Sequence, residues 1–249
     1  MKLKQLLILS LSILVIMGCE EATEDAETQA TINMKLSQSM AKSVDGADTY
    51  TVVDEGGTTF TITEARVNVR HIQFDLPEDS EQDSTNKVSL DGPFVFDLIN
   101  GTQTPAINAF EVEQGIYRRI DVRFDDAEAS DALLSAGDEL LDNTMLIAGT
   151  FDYDGTSGRN FRFVLKFNED LRFEEPDGIS VAEGETTEFL LSLNVTEWLT
   201  GINITSCLDG GDLSLESNGD LIIEDGAGSD CGDLESTIKS NIKNNYDLN

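Results

Sequence analysis

The chain has 249 residues, 48 of them Asp or Glu and 16 Lys or Arg, for a formal net charge of −32. Such a surface repels nucleic acid and anionic lipid headgroups and disfavours acidic substrates. No G-x-G-x-x-G motif and no βαβ rhythm points to a nucleotide fold.

The first eighteen residues stand apart from the rest. Lys2 and Lys4 precede a twelve-residue apolar run, Leu6 to Met17. A membrane-spanning helix takes about 20 apolar residues, so this run reads as a cleaved signal peptide over residues 1–18. It ends in Ile16-Met17-Gly18-Cys19, which resembles the lipobox of bacterial lipoproteins. The resemblance implies lipid on the Cys19 thiol, cleavage after Gly18, and a membrane partner engaged through that lipid. Residues 19–29 have no apolar periodicity and include five acidic residues, the composition of a flexible tether. Their acidic start resembles export signals on surface lipoproteins of some Bacteroidetes. The expected location is the bacterial cell envelope, on the outer membrane and facing either the periplasm or the outside.

From Ala30 onward the apolar residues recur mostly with period two, the mark of strands with one buried face. Ile32, Met34 and Leu36 form the first run. Phe60 and Ile62, then Val67 and Val69, then Ile72, Phe74 and Leu76 mark one or two long strands with one change of phase near Ala65. Phe94-Val95-Phe96 is a short apolar run, and Ile120, Val122 and Phe124 alternate with Arg119, Asp121 and Arg123. Asp126 to Asp142 breaks the pattern; it is rich in Ala and Leu, as a short helix would be, with Gly137 interrupting it. Phe161, Phe163, Leu165 and Phe167 alternate with Arg162 and Lys166, which should face water, and Val164 reads as a lone exposed valine. Phe189, Leu191, Leu193 and Val195 complete the series. Asp154-Gly155 and Asn218-Gly219 read as hairpin turns.

The C-terminal region carries three further signals. Trp198 follows a strand pattern and reads as a plug at the core edge rather than a sugar-stacking platform. With Cys19 taken by lipid, Cys207 and Cys231 remain as an even pair in an oxidising compartment, which predicts a disulfide. Neither has a CxxC neighbour, so zinc is disfavoured. Between them, Asp209, Asp212, Asn218, Asp220, Asp225 and Asp230 gather among glycines, the one place where calcium deserves weighing, although no EF-hand loop matches. Finally Leu234, Ile238, Ile242 and Tyr246 recur every four residues behind Asp233, predicting a capped helix over 233–246.

Three stretches together resemble an uncharacterised family of bacterial lipoproteins with a β-sandwich-like domain. The first is Gly92-Pro93-Phe94-Val95-Phe96-Asp97-Leu98 followed by Val112-Glu113-Gln114-Gly115-Ile116-Tyr117-Arg118-Arg119-Ile120. The second is Ala148-Gly149-Thr150-Phe151 leading into Phe161-Arg162-Phe163. The third is Asn194 to Thr200 with the helix Ser236 to Leu248. The resemblance spans about Thr58 to Leu248 and implies fold and location, with no catalytic residues to carry over.

His71 is the only histidine, and it lies inside a strand pattern with no G-x-S-x-G elsewhere, so a histidine-dependent triad is disfavoured. No catalytic residue and no cofactor is assigned. The expected fold is a mainly β, antiparallel β-sandwich of immunoglobulin or transthyretin type, one domain over 30–249 with a short C-terminal helix. The expected role is non-catalytic binding or structure, toward an envelope protein or glycan. The alternatives are an envelope hydrolase using carboxylates and a calcium-binding surface module.

Overall fold

In the computed structural model, which describes residues 26–38, 50–75, 87–225 and 231–249, each alternating run becomes a strand. The described residues form thirteen strands. They are β1 (Gln29–Ser37), β2 (Tyr50–Val53), β3 (Thr59–Phe74), β4 (Val88–Asp97), β5 (Thr102–Thr104), β6 (Phe110–Glu111) and β7 (Gly115–Phe124). There follow β8 (Met145–Tyr153), β9 (Thr156–Leu165), β10 (Glu169–Val181), β11 (Thr186–Asn194), β12 (Leu221–Ile223) and β13 (Tyr246–Leu248). Two helices, α1 (Ile204–Gly210) and α2 (Leu234–Ile242), complete a mainly β chain.

The strands form two sheets, neither closed into a barrel. The smaller runs β13-β11-β1-β6, and the larger follows β10-β7-β3-β8-β9-β12, with β2 and β4 also on β3 and β5 on β4. The expected purely antiparallel pattern needs correction. β1 pairs parallel with β11 from Gln29↔Thr186 to Ser37↔Asn194, and β12 pairs parallel with β9. Alternation fixes which face a side chain takes but says nothing of the neighbour's direction.

β3 organises the large sheet. Its first half pairs with β2 and β8, its second with β4 and β7. The register shifts twice, between Ile62 and Glu64 and between Val69 and His71, where one change of phase was expected. An extra residue at each point turns the next side chains to the opposite face. The buried series is therefore Phe60, Ile62, then Ala65, Val67, Val69, then Ile72, Phe74. Leu76 lies outside the described residues.

One core joins the inward faces of both sheets. Phe74 of the large sheet meets Phe189 of the small one edge-on at 5.2 Å, and Tyr117 meets the same ring at 5.5 Å. Burial pushes the Tyr117 phenol above its usual range, while its hydroxyl donates to the Glu113 carbonyl at 3.0 Å. Phe161, Phe163, Leu165 and Phe167 are all buried on one side, as expected.

The two ends of the molecule differ. At one, β1 begins against the β10–β11 turn, with Gln29 N donating to Glu185 O at 2.9 Å and Gly184 N to Thr28 Oγ1 at 2.9 Å. At the other, β1 ends where Gln38 bridges to Thr51, Glu55 N donates to Ile202 O at 2.7 Å, and Tyr153 Oη donates to Asp209 at 2.8 Å. The β2–β3 turn, the β8–β9 hairpin and α1 thus form one tip. The hairpin turns at Asp154-Gly155, both with positive φ, as its sequence predicts. Asn218-Gly219 is also a turn, but it leads from the α1 region into β12 rather than joining a hairpin.

Two helical expectations change. α2 buries Leu234, Ile238 and Ile242, yet it stops at Ile242, short of the expected 246. The Asn244 and Asn245 amides donate to the carbonyls of Ser240 and Asn241, satisfying groups left open at the helix end, and Tyr246 begins β13. Asp233 stands at the N-cap with left-handed φ and makes no side-chain cap bond. The segment 126–142 contains a single 3-10 turn, Ala129–Asp131, and no α-helix. Ala132 and Gly137 take positive φ, which breaks any helical run.

Candidate functional site

The outward face of the large sheet divides into an open half and a covered half. On the open half, pleating turns Arg119, Asp121 and Arg123 of β7 outward beside Asp170 and Arg172 of β10 and His71 and Gln73 of β3. Register makes these strands a chequerboard. One row reads Asp91, His71, Arg123, Asp170 across four strands, and the next reads Ser89, Gln73, Asp121, Arg172. His71 Nδ1 is 2.8 Å from Asp91 Oδ1, Arg123 Nη1 is 3.0 Å from Asp170, and Arg172 Nε is 3.0 Å from Asp121. Arg119 pairs with Asp75. A hollow of about 490 Å³ opens over His71, Gln73, Asp121, Arg123, Asp170 and Arg172.

This hollow offers donors and acceptors in alternation, which suits a polar, uncharged or zwitterionic surface. The His71 ring is paired with the Asp91 carboxylate at the edge of the hollow. Asp121 and Asp170 are each held by a guanidinium.

The covered half lies under the loop between β7 and β8. Here the sheet presents Val95, Leu146 and Val164, which pack with Ala127, Leu133, Leu134 and Leu140 of the loop. Val164 is thus a packing residue, not the exposed valine its outward position implied. Four cations surround the patch and bind the loop's acids. Arg66 makes a two-pronged bond to Asp138, 3.0 Å at each contact, and Arg70 reaches Asp131 at 2.8 Å. Arg162 pairs with Glu139, so it is only partly exposed, while Lys166 reaches Asp126 at 2.9 Å and is more than half exposed.

These contacts shift protonation. Arg66's hydrogen bonds hold the Asp138 carboxyl below its usual range, against burial. For Asp131, burial pushes upward, but the Arg70 hydrogen bond and the Glu128 amide prevail and lower it. Burial likewise works against the Arg66 charge, and Asp138 and Glu64 more than offset it. Beneath the loop Asn68 is fully buried; its Nδ2 donates to Asp125 O at 2.9 Å while its Oδ1 finds no partner among the described residues.

Elsewhere, Cys207 and Cys231 are brought together as expected, joined as a disulfide with Cα atoms 5.8 Å apart. That separation is ordinary for the bond. Trp198 is 1% exposed, within the core. Asp209 accepts from Tyr153, and Asp220 accepts from Asn160 at 3.0 Å, so these carboxylates are committed to neighbouring strands. Among the described residues no three His, Cys, Asp or Glu side chains converge on a metal position. Residues 226–230, part of the stretch weighed for calcium, lie outside the described residues, as do the signal region and Cys19. Among the described residues no helix is long and apolar enough to cross a membrane.

No family model, no curated protein and no solved structure matches the chain. The family resemblance in the sequence therefore rests on its own short motifs.

Sequence reasoning missed the pairing of the loop with the sheet. Its signal was present: the acidic run Asp125 to Asp142 faces outward-pointing Arg66, Arg70, Arg162 and Lys166.

Proposed function

We propose that this chain is a lipid-anchored lipoprotein of the bacterial envelope, held through Cys19, whose two sheets form a β-sandwich with a binding or structural role. The observation that carries this reading is the order Lys2/Lys4, apolar run, Ile16-Met17-Gly18-Cys19, acidic tether, then a domain starting at Gln29. Edge-on aromatic contacts across the two sheets support the sandwich, and the Cys207–Cys231 bond fits an oxidising compartment. The polar hollow beside His71 is the surface best suited to binding, and its paired charges favour recognition over catalysis.

The test is expression in a Gram-negative host of the wild type and Cys19→Ser. The wild-type chain should fractionate with membranes, lack residues 1–18, and yield an acylated N-terminal cysteine by mass spectrometry. A soluble mature chain with a free Cys19 thiol would sink the reading.

A further inference from the structure

We propose that the loop 125–143 is a releasable cover, which opens as one unit ahead of the two-sheet core and bares the Val95–Leu146–Val164 patch. The loop is built to move together. Its ends are clipped to each other, Ala127 N donating to Asn143 O at 2.9 Å and Asp142 N to Ala127 O at 2.7 Å. Such a closed loop with its own side-chain packing can swing on the residues at its base, Asp125–Asp126 and Asn143–Thr144.

Its attachment is chiefly electrostatic. From β3 come Arg66, shared with Glu64, and Arg70, which also meets Glu128 at 3.4 Å. From β9 and the residue after it come Arg162 and Lys166. Asp125 and Asp142 of the loop and Asp225 beyond β12 add negative charge near Arg70 and Lys166. Glu224 lines the slot of about 310 Å³ between loop and sheet. The apolar share is small: Ala127 and Leu140 are buried, and Leu133 and Leu134 only partly so. Closure also leaves Asn68 Oδ1 buried without a partner among the described residues, a cost that opening to water would relieve.

The core is held differently, by backbone ladders that run along β3, β8 and β9 and by aromatic packing such as Phe60 on Phe151. Opening free energies differ among parts of one protein, and the least buried, most salt-dependent part opens first.

The pH sign follows from the lowered carboxyls. A group whose folded pKa is depressed stabilises the closed state fully above its unfolded value, about 3.9 for Asp. That contribution is lost as pH falls through the folded value, while Arg66 and Arg70 keep their charge. Acid should therefore loosen the loop below about pH 4. Salt should do so at neutral pH.

Hydrogen exchange on the intact chain tests this. At pH 7, raising NaCl to about 1 M should speed exchange of loop amides 127–142 by about tenfold or more, leaving β3, β8 and β9 unchanged. Arg66→Gln at low salt should do the same, and Asp138→Asn, a change on the loop itself, should match it if Arg66→Gln folds poorly. Loss of protection in loop and strands together would overturn the proposal. So would a loop indifferent to salt and to both substitutions.

Discussion

The two halves of one sheet face solve the same problem in opposite ways. On the open half three arginines have an acid alongside: Arg172 with Asp121 and Arg123 with Asp170 on the neighbouring strand, and Arg119 with Asp75 just past the end of β3. Charge is balanced within the plane, and water completes the rest. On the covered half the sheet supplies cations and aliphatic side chains, and the balancing acids arrive from a separate loop. A sheet face made for water is written in pairs, whereas one made for a cover is written in one sign of charge around an apolar centre. In the second arrangement the Arg66 hydrogen bonds lower the Asp138 carboxyl against burial, and at Asp131 the upward push of burial is outweighed by the Arg70 hydrogen bond and the Glu128 amide.

Four substitutions sharpen or break that contrast. Phe163→Ala, on the inward face common to both halves, should cost about 3–5 kcal/mol in urea unfolding. It calibrates the others, and a cost near that of an outward residue would refute the two-sided sheet. Arg66→Ala removes a two-pronged bond from a side chain only 22% exposed and strands Asp138, so it should cost about 1–2 kcal/mol. Val164→Ala should cost about 1 kcal/mol through lost contact with the loop's leucines, measurable as a lowered urea midpoint. No change would restore the reading of Val164 as an exposed valine. Arg172→Ala, on the open half, should leave the thermal midpoint where it was. A loss comparable to Arg66→Ala would mean that the paired face carries stability after all.

Much of the fold was legible because burial imposes alternation. The runs at Phe161–Phe167, Ile120–Phe124 and Phe189–Val195 name their own inward faces, and the two cysteines name each other. The neighbours were not legible. That β1 lies parallel to β11, and not in a hairpin, depends on contacts more than 150 residues apart in sequence. The loop misled through composition: Ala and Leu suit a helix, but its carboxylates are held by Arg66, Arg70 and Arg162, and its backbone follows them. Tyr246 misled through spacing, since the strand β13 and a helix of one more turn would bury the same position. The hollow over His71 needed the pairing register of four strands, and single-strand patterns do not contain it.

The direction of β1 also bears on how the molecule would stand on a bilayer under the proposed anchoring. If Cys19 is the anchor, the ten residues from Cys19 to Thr28 reach at most about 35 Å, and the domain hangs from the end where Gln29 meets the β10–β11 turn. Nine residues of β1 then carry the chain about 30 Å outward to the tip formed by the β2–β3 turn, the β8–β9 hairpin and α1. The chequerboard lies toward the root of this stalk and the covering loop toward its crown, because β3 runs from tip to base. On the proposed anchoring, an approaching macromolecule would meet the crown first, whereas a small solute between domain and headgroups would meet the hollow.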